Sequence, residues 1–421
     1  MNKKLLKQIW NERRINVWLW VELLLVSVVL WYVVDTSYAT LSTYFEPRGF
    51  DISNTYLIRI DALTAKSPDY VDPSTQTTKP GEDLLQIVDR LRHLPDVEAV
   101  SVSLNSYPYN GSNSGFMARL DTMRVWGIRR EVTPDFLRVF RYEGANGESP
   151  DQLAALLKEN NFIAGENLLT RDYGLKGKDI LGSSFYLNDD TIKTWPLVAV
   201  TRPVRYGDFR SIYESRYIII LFDQNKIAGC NEVKVRQCEV CLRTHDNSAP
   251  GFIDRLRAIS NSQFRVGNLF LGDIQSMQNI RTMFQMDDMN ELRNQAWGIG
   301  FLLLNIFLGL LGTFWFRTQQ RRSEIALHIS CGSTHKQAFI RLMGEGLLLL
   351  VLSTVVALII DLNLAYAEYT NPMNGTTLAP VRFLVTTFIT FVLMSLMIVI
   401  GIWFPAKQAM KIQPAEALRD E

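Results

Sequence analysis

Four long apolar runs set the hydrophobic pattern of the chain. Two of them carry no charged residue over 21 and 22 positions, and the other two reach a comparable length when they are extended as helices. A helix needs about 20 predominantly apolar residues to cross the hydrocarbon core of a bilayer. The pattern therefore predicts four transmembrane helices, within Val17–Val34, Ala296–Phe316, Phe339–Ile360 and Phe383–Phe404.

Between the first and second runs, the periodicity changes to that of a mixed α/β domain. Asn54–Ile60 alternates like a strand, Glu82–Leu94 has an apolar helical stripe, and Val97–Leu104 alternates again. The same order recurs as strand Glu239–Arg243, helix Pro250–Ile259 and strand Phe264–Leu271. Both helices contain Asp-Arg-Leu-Arg, which favours two related half-modules. The insertion between them is rich in turns, with strands expected at Ser184–Leu187 and Trp195–Val200 and a helix near 150–160.

The basic residues that flank the four runs predict the orientation. Lysine and arginine cluster before the first run, between the second and third, and after the fourth, whereas Asp361–Arg382 carries a single basic residue. By the positive-inside rule, both termini are cytoplasmic. The fold class that follows is an α-helical membrane protein with four transmembrane helices and a large α/β extracytoplasmic domain, built as two related half-modules with an inserted subdomain.

Net charge changes this interpretation little. The chain of 421 residues has 44 basic and 43 acidic side chains, for a net charge of +1. Nucleic-acid binding is disfavoured, because such proteins carry a basic excess on one face. Residues 38–295 hold 30 basic and 33 acidic side chains, which makes the outer domain weakly acidic.

The first run has an alternative interpretation as a cleaved signal peptide. It follows a basic leader, and Ser37-Tyr38-Ala39 is a weak cleavage site, but its apolar region is longer than usual and contains Glu22. We favour an uncleaved span, with Glu22 near its cytoplasmic end. The preceding residues 1–16 predict an amphipathic interfacial helix, and the alternative is a disordered basic leader.

Three cysteines fall in the outer block, Cys230, Cys238 and Cys241. An oxidising compartment permits a Cys230–Cys238 disulfide, and Cys238-x-x-Cys241 has the spacing of a redox or metal motif. Residues i and i+3 of a strand point to opposite faces, and only His245 is near as a further ligand. Unpaired structural cysteines are the favoured interpretation, and the disulfide state stays open.

Catalytic motifs are absent from the sequence. It has no G-x-x-x-x-G-K-[ST] phosphate-binding loop and no H-E-x-x-H, and Gly111–Gly115 has Asn113 where a nucleophile elbow needs serine. We expect neither a catalytic site nor a bound cofactor or metal.

The segment after the second run carries the most informative residues. Gly332 suits a helix C-cap, and Ser333 or Thr334 suits the N-cap of the helix that continues into the third span. The sequence RRSEIALHISCGSTHKQAFIRLMGEGLLL resembles the motif of the FtsX/MacB permease superfamily, R-x-x-E-I-x-x-x-x-x-x-G-[AS] followed by a helix with a glutamate. The matching positions are Glu324, Ile325, Gly332, Ser333 and Glu345, whereas His328 and Cys331 depart from the pattern.

The C-terminal tail resembles the ending of the same superfamily, P-x-x-x-A-x-x-x-x-P-x-[ED]-A-L-R-x-E. Its matching residues are Pro405, Ala409, Pro414, Leu418 and Arg419. The outer block is less similar, with Val198–Tyr206 resembling the strand and turn V-x-G-V-x-x-[DP]-x-R-[YF].

The resemblance implies a mechanotransmission permease of an ABC system that works as a homodimer or heterodimer. A separate cytoplasmic ATPase would dock on the short helix before Gly332, and the coupling residues implied are Glu324, Ile325, His328, Gly332 and Ser333. A membrane-fusion protein and an outer-membrane channel are further possible partners, and the location implied is the bacterial inner membrane, with the large domain in the periplasm. The alternatives are a lipoprotein-releasing permease like the LolC/LolE pair and a membrane-anchored envelope sensor that works without ATP. Cargo, dimer type and the participation of an outer-membrane channel stay open.

The domain organisation that we predict runs as follows: amphipathic helix 1–16, first span 17–37, periplasmic domain 38–293 (halves 52–105 and 231–275, insertion 106–230), second span 294–316, coupling segment 317–338, third span 339–362, periplasmic loop 363–381, fourth span 382–404 and tail 405–421.

Overall fold

The computed structural model describes residues 13–188, 190, 192–320, 327, 332–373 and 376–409. The chain divides into two compact units. One contains Thr43–Met289, and the other contains Met1–Ser42 together with Asn290–Glu421.

The membrane unit contains four long helices. Each has a stretch long and apolar enough to cross a bilayer. They are α1 (Arg13–Phe45), α10 (Met286–Gln320), α11 (His335–Tyr366) and α12 (Pro380–Ala409). The predicted fold class, four spans with a large α/β domain, is confirmed.

The four helices share a core of leucine, isoleucine, methionine and phenylalanine side chains, among them Leu23, Leu310, Leu350 and Ile398. Gly346 allows a close approach, because a Cβ there would lie 2.7 Å from Cδ1 of Ile402. By contrast, a Cβ at Gly298, Gly300 or Gly312 would meet nothing within 4 Å in the described part of the chain. Among the described residues, those glycines therefore make no close helix contact.

Glu22 lies between two of the spans. Both of its carboxylate oxygens accept from the hydroxyl of Thr313 on α10, at 3.1 and 3.3 Å. The Glu22 carboxylate therefore has a hydrogen-bond partner on a neighbouring helix.

A four-stranded antiparallel sheet, which we call the porter sheet, organises the α/β unit. Its order is β10–β1–β9–β2, so that β9 lies between β1 and β2, and β1 lies between β9 and β10. This is the interleaved pair of split β-α-β units of a ferredoxin-like fold. The elements are β1 (Thr55–Ala62), α2 (Pro80–Arg92), β2 (Val97–Leu104), β9 (Glu239–Thr244), α8 (Phe252–Gln263) and β10 (Leu269–Ser276).

Each face of this sheet has its own core. Helices α2, α6 (Gln224–Ala228), α7 (Glu232–Gln237) and α8 cover one face through residues such as Leu84, Ile87 and Leu256. The other face packs against α3 (Asp135–Val139), α4 (Pro150–Leu156) and α9 (Met277–Phe284). Ser149 begins α4 as its N-cap, with Gln152 completing a capping box.

The insertion between the half-modules forms a closed ring of six strands. The order of the strands around the ring is β4–β3–β6–β7–β5–β8. The ring closes because β8 pairs in parallel with β4. Because β4 also pairs with β2 at Ser103 and Leu104, the ring continues the porter sheet. The remaining elements are β3 (Gly115–Leu120), β4 (Met123–Val132), β5 (Phe162–Gly165), α5 (Thr170–Tyr173), β6 (Ser184–Leu187), β7 (Thr194–Thr201) and β8 (Tyr217–Leu221).

The ring encloses a separate apolar core. Phe162, Phe185, Leu197 and Ile218 are buried there, with Phe162 and Phe185 edge to face at 5.3 Å. The insertion is thus a small barrel with its own interior, not an irregular collection of turns.

One predicted strand is wrong by several residues. The apolar pattern placed a strand over Phe264–Leu271, whereas β10 begins at Leu269. Phe264 ends α8 as its C-cap, and the backbone then turns through Gly267 with a φ of +56°. The apolar residues at 264 and 266 belong to that turn and point into the core.

The three outer cysteines are free and buried. Cys230 and Cys238 belong to the core on one face of the porter sheet, and Cys241 belongs to the core on the other face. Cys238 and Cys241 therefore point in opposite directions and do not share a ligand. Burial raises the pKa of the Cys238 thiol to about 12, which keeps it protonated.

Candidate functional site

A buried carboxylate, Asp208, is the centre of an ionic cluster in the α/β unit. Its side chain is 1% exposed. Oδ1 accepts from the hydroxyl of Tyr109 at 2.9 Å and from Nε of Arg48 at 3.2 Å. Oδ2 accepts from Nε of Arg281 at 2.8 Å. We call Asp208, Arg48, Tyr109, Arg205 and Arg281 the Asp208 cluster.

The two outer arginines of this cluster come from the segments next to two spans. Arg48 lies three residues after the end of α1, and Arg281 lies in α9, which is followed at Met286 by α10. Arg281 also donates to the hydroxyl of Tyr44, in the last turn of α1, at 3.3 Å. One carboxylate therefore ties the chain that leaves the first span to the chain that enters the second.

Arg205 fixes the loop that carries Asp208. Its guanidinium donates to the carbonyl of Glu46 at 2.7 Å, to that of Arg210 at 3.1 Å, and to that of Asp208. Three carbonyls from two segments thus converge on one fully buried cation, which holds the loop closed beneath the residues that follow α1.

The backbone next to Arg48 touches the same loop. Gly49 has a φ of +79°, and a Cβ there would lie 2.1 Å from the carbonyl oxygen of Pro203. The N–H of Arg205 donates to the carbonyl of Arg48 at 2.9 Å. Only glycine combines this left-handed conformation with so close an approach.

The protonation states suit these roles. Burial alone would raise the pKa of Asp208, but the side chains of Gln285 and Arg281 and the charge of Arg48 outweigh it and hold that pKa below its usual range. Burial and the neighbouring Asp208 charge raise the pKa of Tyr109, so its hydroxyl remains a donor. At neutral pH, Asp208 is therefore ionised and Tyr109 is neutral.

We expect the contribution of Asp208 to stability to disappear in acid. Because its pKa is lower in the folded than in the unfolded chain, the contribution is complete above the unfolded value of about 3.9 and is lost as pH falls through the folded value. Calorimetry of the full chain in detergent, from about pH 7 to about pH 3, would show the melting temperatures of wild type and Asp208→Asn converging. A constant gap across this range would contradict the assignment.

Three residues of the predicted coupling site, Glu324, Ile325 and His328, lie outside the described part of the chain. The tail-motif residues Pro414, Leu418 and Arg419 also lie outside it. Pro405 and Ala409 lie in the last turns of α12. The role of the coupling residues in docking an ATPase stays a prediction.

Gly332 and Ser333 lie in the described turn before α11. Gly332 has a φ of +95°, in the left-handed region. Thr334 is the N-cap of α11, since its hydroxyl accepts from the N–H of Gln337 at 3.3 Å while its own N–H donates to the Gln337 side chain at 3.0 Å. A sharp turn followed by a capped helix of 32 residues thus links the coupling segment to the third span.

The Asp208 cluster was not recognised from the sequence, although one signal lay next to it. The Val198–Tyr206 motif includes Arg205, and Asp208 follows two residues after its end. What the sequence did not show is that Arg48 and Arg281, far apart along the chain, meet this loop.

Comparisons with known proteins concern mainly the C-terminal part. Residues 298–414 match the model of the FtsX-like permease C-terminal family. No curated protein sequence matches the chain. Among solved structures, the chain is similar to the extracellular domain of the noncanonic ABC-type transporter YknZ from Gram-positive bacteria, with 11% identity over 52% of this chain and 100% of that one. The TM-score is 0.29, which is too low to bear on the fold.

The matched residues include the described turn at Gly332, the capped helix α11 and all of α12 as the structure describes it. They also contain the first of the two sequence motifs and reach Pro414 of the second. By this match the C-terminal part of the chain is similar to the FtsX-like permeases, a family of transporter components.

Proposed function

We propose that this chain is the transmembrane subunit of an ABC transporter in which a separate ATPase drives conformational change in the α/β domain. The change would export or extract an envelope substrate. The proposal places the protein in the bacterial inner membrane as a dimer, with the α/β domain in the periplasm and both termini in the cytoplasm. The observation that carries it is the FtsX-like match over 298–414 in a chain without a phosphate-binding loop.

The segment before α11 supports the cytoplasmic end of this coupling. Its Gly332 turn leads directly into a helix that runs without interruption from His335 to Tyr366. The backbone hydrogen bonds of such a helix are satisfied internally, so it moves as a rigid rod. A displacement of the coupling segment would then shift the third span along its whole length.

The Asp208 cluster supports the periplasmic end of the proposed coupling. The segments next to the first and second spans share one buried carboxylate, and Arg205 and Gly49 fix the loop beneath them. A change in the separation of these two spans would therefore act on the loop at 203–210 and through it on β7, which belongs to the barrel.

Helix α10 supports a dimer. Only 11% of its apolar window is buried within the protomer, against 22–33% for the other spans. It presents large apolar side chains such as Trp297 and Phe301 beside glycines that meet nothing in the described protomer. Small residues allow helices of two protomers to approach closely in a membrane.

Co-purification tests the proposal. We expect the full chain, extracted in detergent, to bring an ABC ATPase with it, and we expect Glu324→Lys and Gly332→Pro to lose most of that ATPase. The first variant reverses a charge in the coupling segment, and the second forces a negative φ on a turn that uses +95°. Quantitative mass spectrometry of the eluate measures the ratio of the two subunits.

Glu291→Lys is the matched control, since it makes the same charge change at an exposed position on the other side of the proposed topology. It should retain the ATPase. Failure of the wild-type chain to retain any ATPase would contradict the proposal, as would full retention by both coupling variants with unchanged melting temperatures.

Two alternatives predict different phenotypes. A lipoprotein-releasing permease like the LolC/LolE pair predicts that depletion leaves lipoproteins in the inner membrane. An envelope sensor predicts that an inactive ATPase has no effect on the phenotype of this gene. The glycine turn and capped helix before the third span favour the ATP-coupled proposal over the sensor.

A further inference from the structure

Three of the spans enclose a small polar cavity. It lies among α1, α11 and α12, entirely within the membrane unit, and has a volume of about 10 Å³. Its walls include Ser27 and Trp31 of α1, Asp361 of α11 and Thr387 of α12. An ionisable residue within membrane-spanning helices is costly and is a functional-site hypothesis by default.

Four polar side-chain atoms of the residues that line this cavity have no hydrogen-bond partner in the described part of the chain. They are Ser27 Oγ, Trp31 Nε1, Asp361 Oδ1 and Thr387 Oγ1, and all four are buried. Each unsatisfied polar atom costs free energy away from water. Four such atoms around one cavity point to a shared occupant that satisfies them together.

Size and chemistry identify that occupant. A cavity volume of about 10 Å³ corresponds to one water molecule. The indole N–H of Trp31 is a donor only, so the occupant must accept a hydrogen bond, which a metal cation cannot do. Water accepts from Trp31 and donates to Asp361, and it bonds to the two hydroxyls in either sense.

The charge of Asp361 requires a further partner. The guanidinium of Arg382 in α12 donates two hydrogen bonds to the carboxylate of Asp35 in α1, at 2.9 and 2.5 Å. Asp35 and Arg382 are both 2% exposed, and Asp35 also interacts electrostatically with Asp361 as a like charge. The guanidinium of Arg382 thus neutralises Asp35, and the negative charge of Asp361 remains to be neutralised.

We propose that Asp361 and one water molecule form a proton-binding site between spans 1, 3 and 4. The proton resides on the Asp361 carboxyl group. The water joins this group to Ser27, Trp31 and Thr387. The Asp35–Arg382 pair remains ionised beside it, so the cluster is electrically neutral when the proton is bound. This site stands on the membrane unit alone and does not depend on ATP coupling.

Infrared difference spectroscopy on the full chain tests the site. At about pH 7, the spectrum of wild type minus Asp361→Asn should contain the C=O stretch of a protonated carboxyl group, and this band should shift in heavy water. At alkaline pH, the band should be replaced by the two stretches of an ionised carboxylate. Ionised-carboxylate bands at neutral pH would overturn the proposal.

Two further variants keep the test decisive. Asp151→Asn removes an exposed carboxylate that pairs with Arg138, and its difference spectrum should contain ionised-carboxylate bands only. If Asp361→Asn fails to fold, Thr387→Val is used instead, and we expect the protonated C=O band to change frequency because the shared water loses a partner. An unchanged band in Thr387→Val would overturn the shared-water site.

The metal-ion alternative has its own signature. If the melting temperature of the wild-type chain rises with NaCl or KCl at constant ionic strength, and that of Asp361→Asn does not, then the cavity binds the metal ion and the proton assignment is wrong. We expect equal responses of both proteins to each salt.

Discussion

Asp208→Asn is expected to destabilise the α/β unit by about 3–5 kcal/mol, the cost of removing one partner of a buried ionic pair. Asparagine keeps the shape of the side chain but leaves Arg48 and Arg281 without a counter-charge beside Arg205, which is fully buried. Pulse proteolysis of the full chain in detergent, across a urea series, measures this change as a shift in the midpoint at which the domain becomes cleavable.

The matched control is again Asp151→Asn. Its carboxylate pairs with Arg138 at 2.6 Å but is 78% exposed, so its removal should cost no more than about 1 kcal/mol. Equal shifts for the two variants would mean that Asp208 contributes no more than a surface ion pair, and the Asp208 cluster would lose its structural role.

Arg382→Met is expected to have a comparably large effect on the membrane unit. The substitution leaves Asp35 buried without its cation, which again costs about 3–5 kcal/mol. Replacing Asp35 with leucine as well removes the stranded charge, so the double variant Asp35→Leu/Arg382→Met should recover much of the loss. Thermal unfolding of the four proteins in detergent gives the coupling between the two sites.

Lys407→Met is the control for this series, because it removes a cation from the opposite end of the same helix, at an exposed position beside Trp403. It should leave the melting temperature nearly unchanged. Additive losses, with the double variant destabilised by the sum of the two single changes, would show that the ion pair is not what stabilises the contact between α1 and α12.

Local patterns were enough to predict the spans and the porter elements. Strand β2 has the bounds that its alternation predicts, and β6 does too, because each alternates cleanly between turn residues. The FtsX-like resemblance also came from short motifs, and the family match over 298–414 confirms it. Features that a few consecutive residues determine could therefore be predicted from the sequence.

Features that depend on contacts between distant segments could not be predicted from the sequence. Closure of the barrel requires β4 to pair in parallel with β8, 89 residues later by the register Ile128–Tyr217, and no local period signals such a pairing. The Asp208 cluster is similar, since Arg48 and Arg281 look like ordinary surface arginines until the fold brings them together. The coupling role of Glu324, Ile325 and His328 remains a prediction.

The interleaved porter sheet sets an order for folding during synthesis. Strand β1 has two neighbours in the sheet, β9 and β10, and both are made after the whole barrel. The barrel strands lie between Gly115 and Leu221, so they complete their ring while β1 still has unpaired edges. Long-range pairing is slow and exposes such edges to aggregation. The nascent chain therefore has its greatest need of a chaperone between the completion of the barrel and the arrival of Ser276.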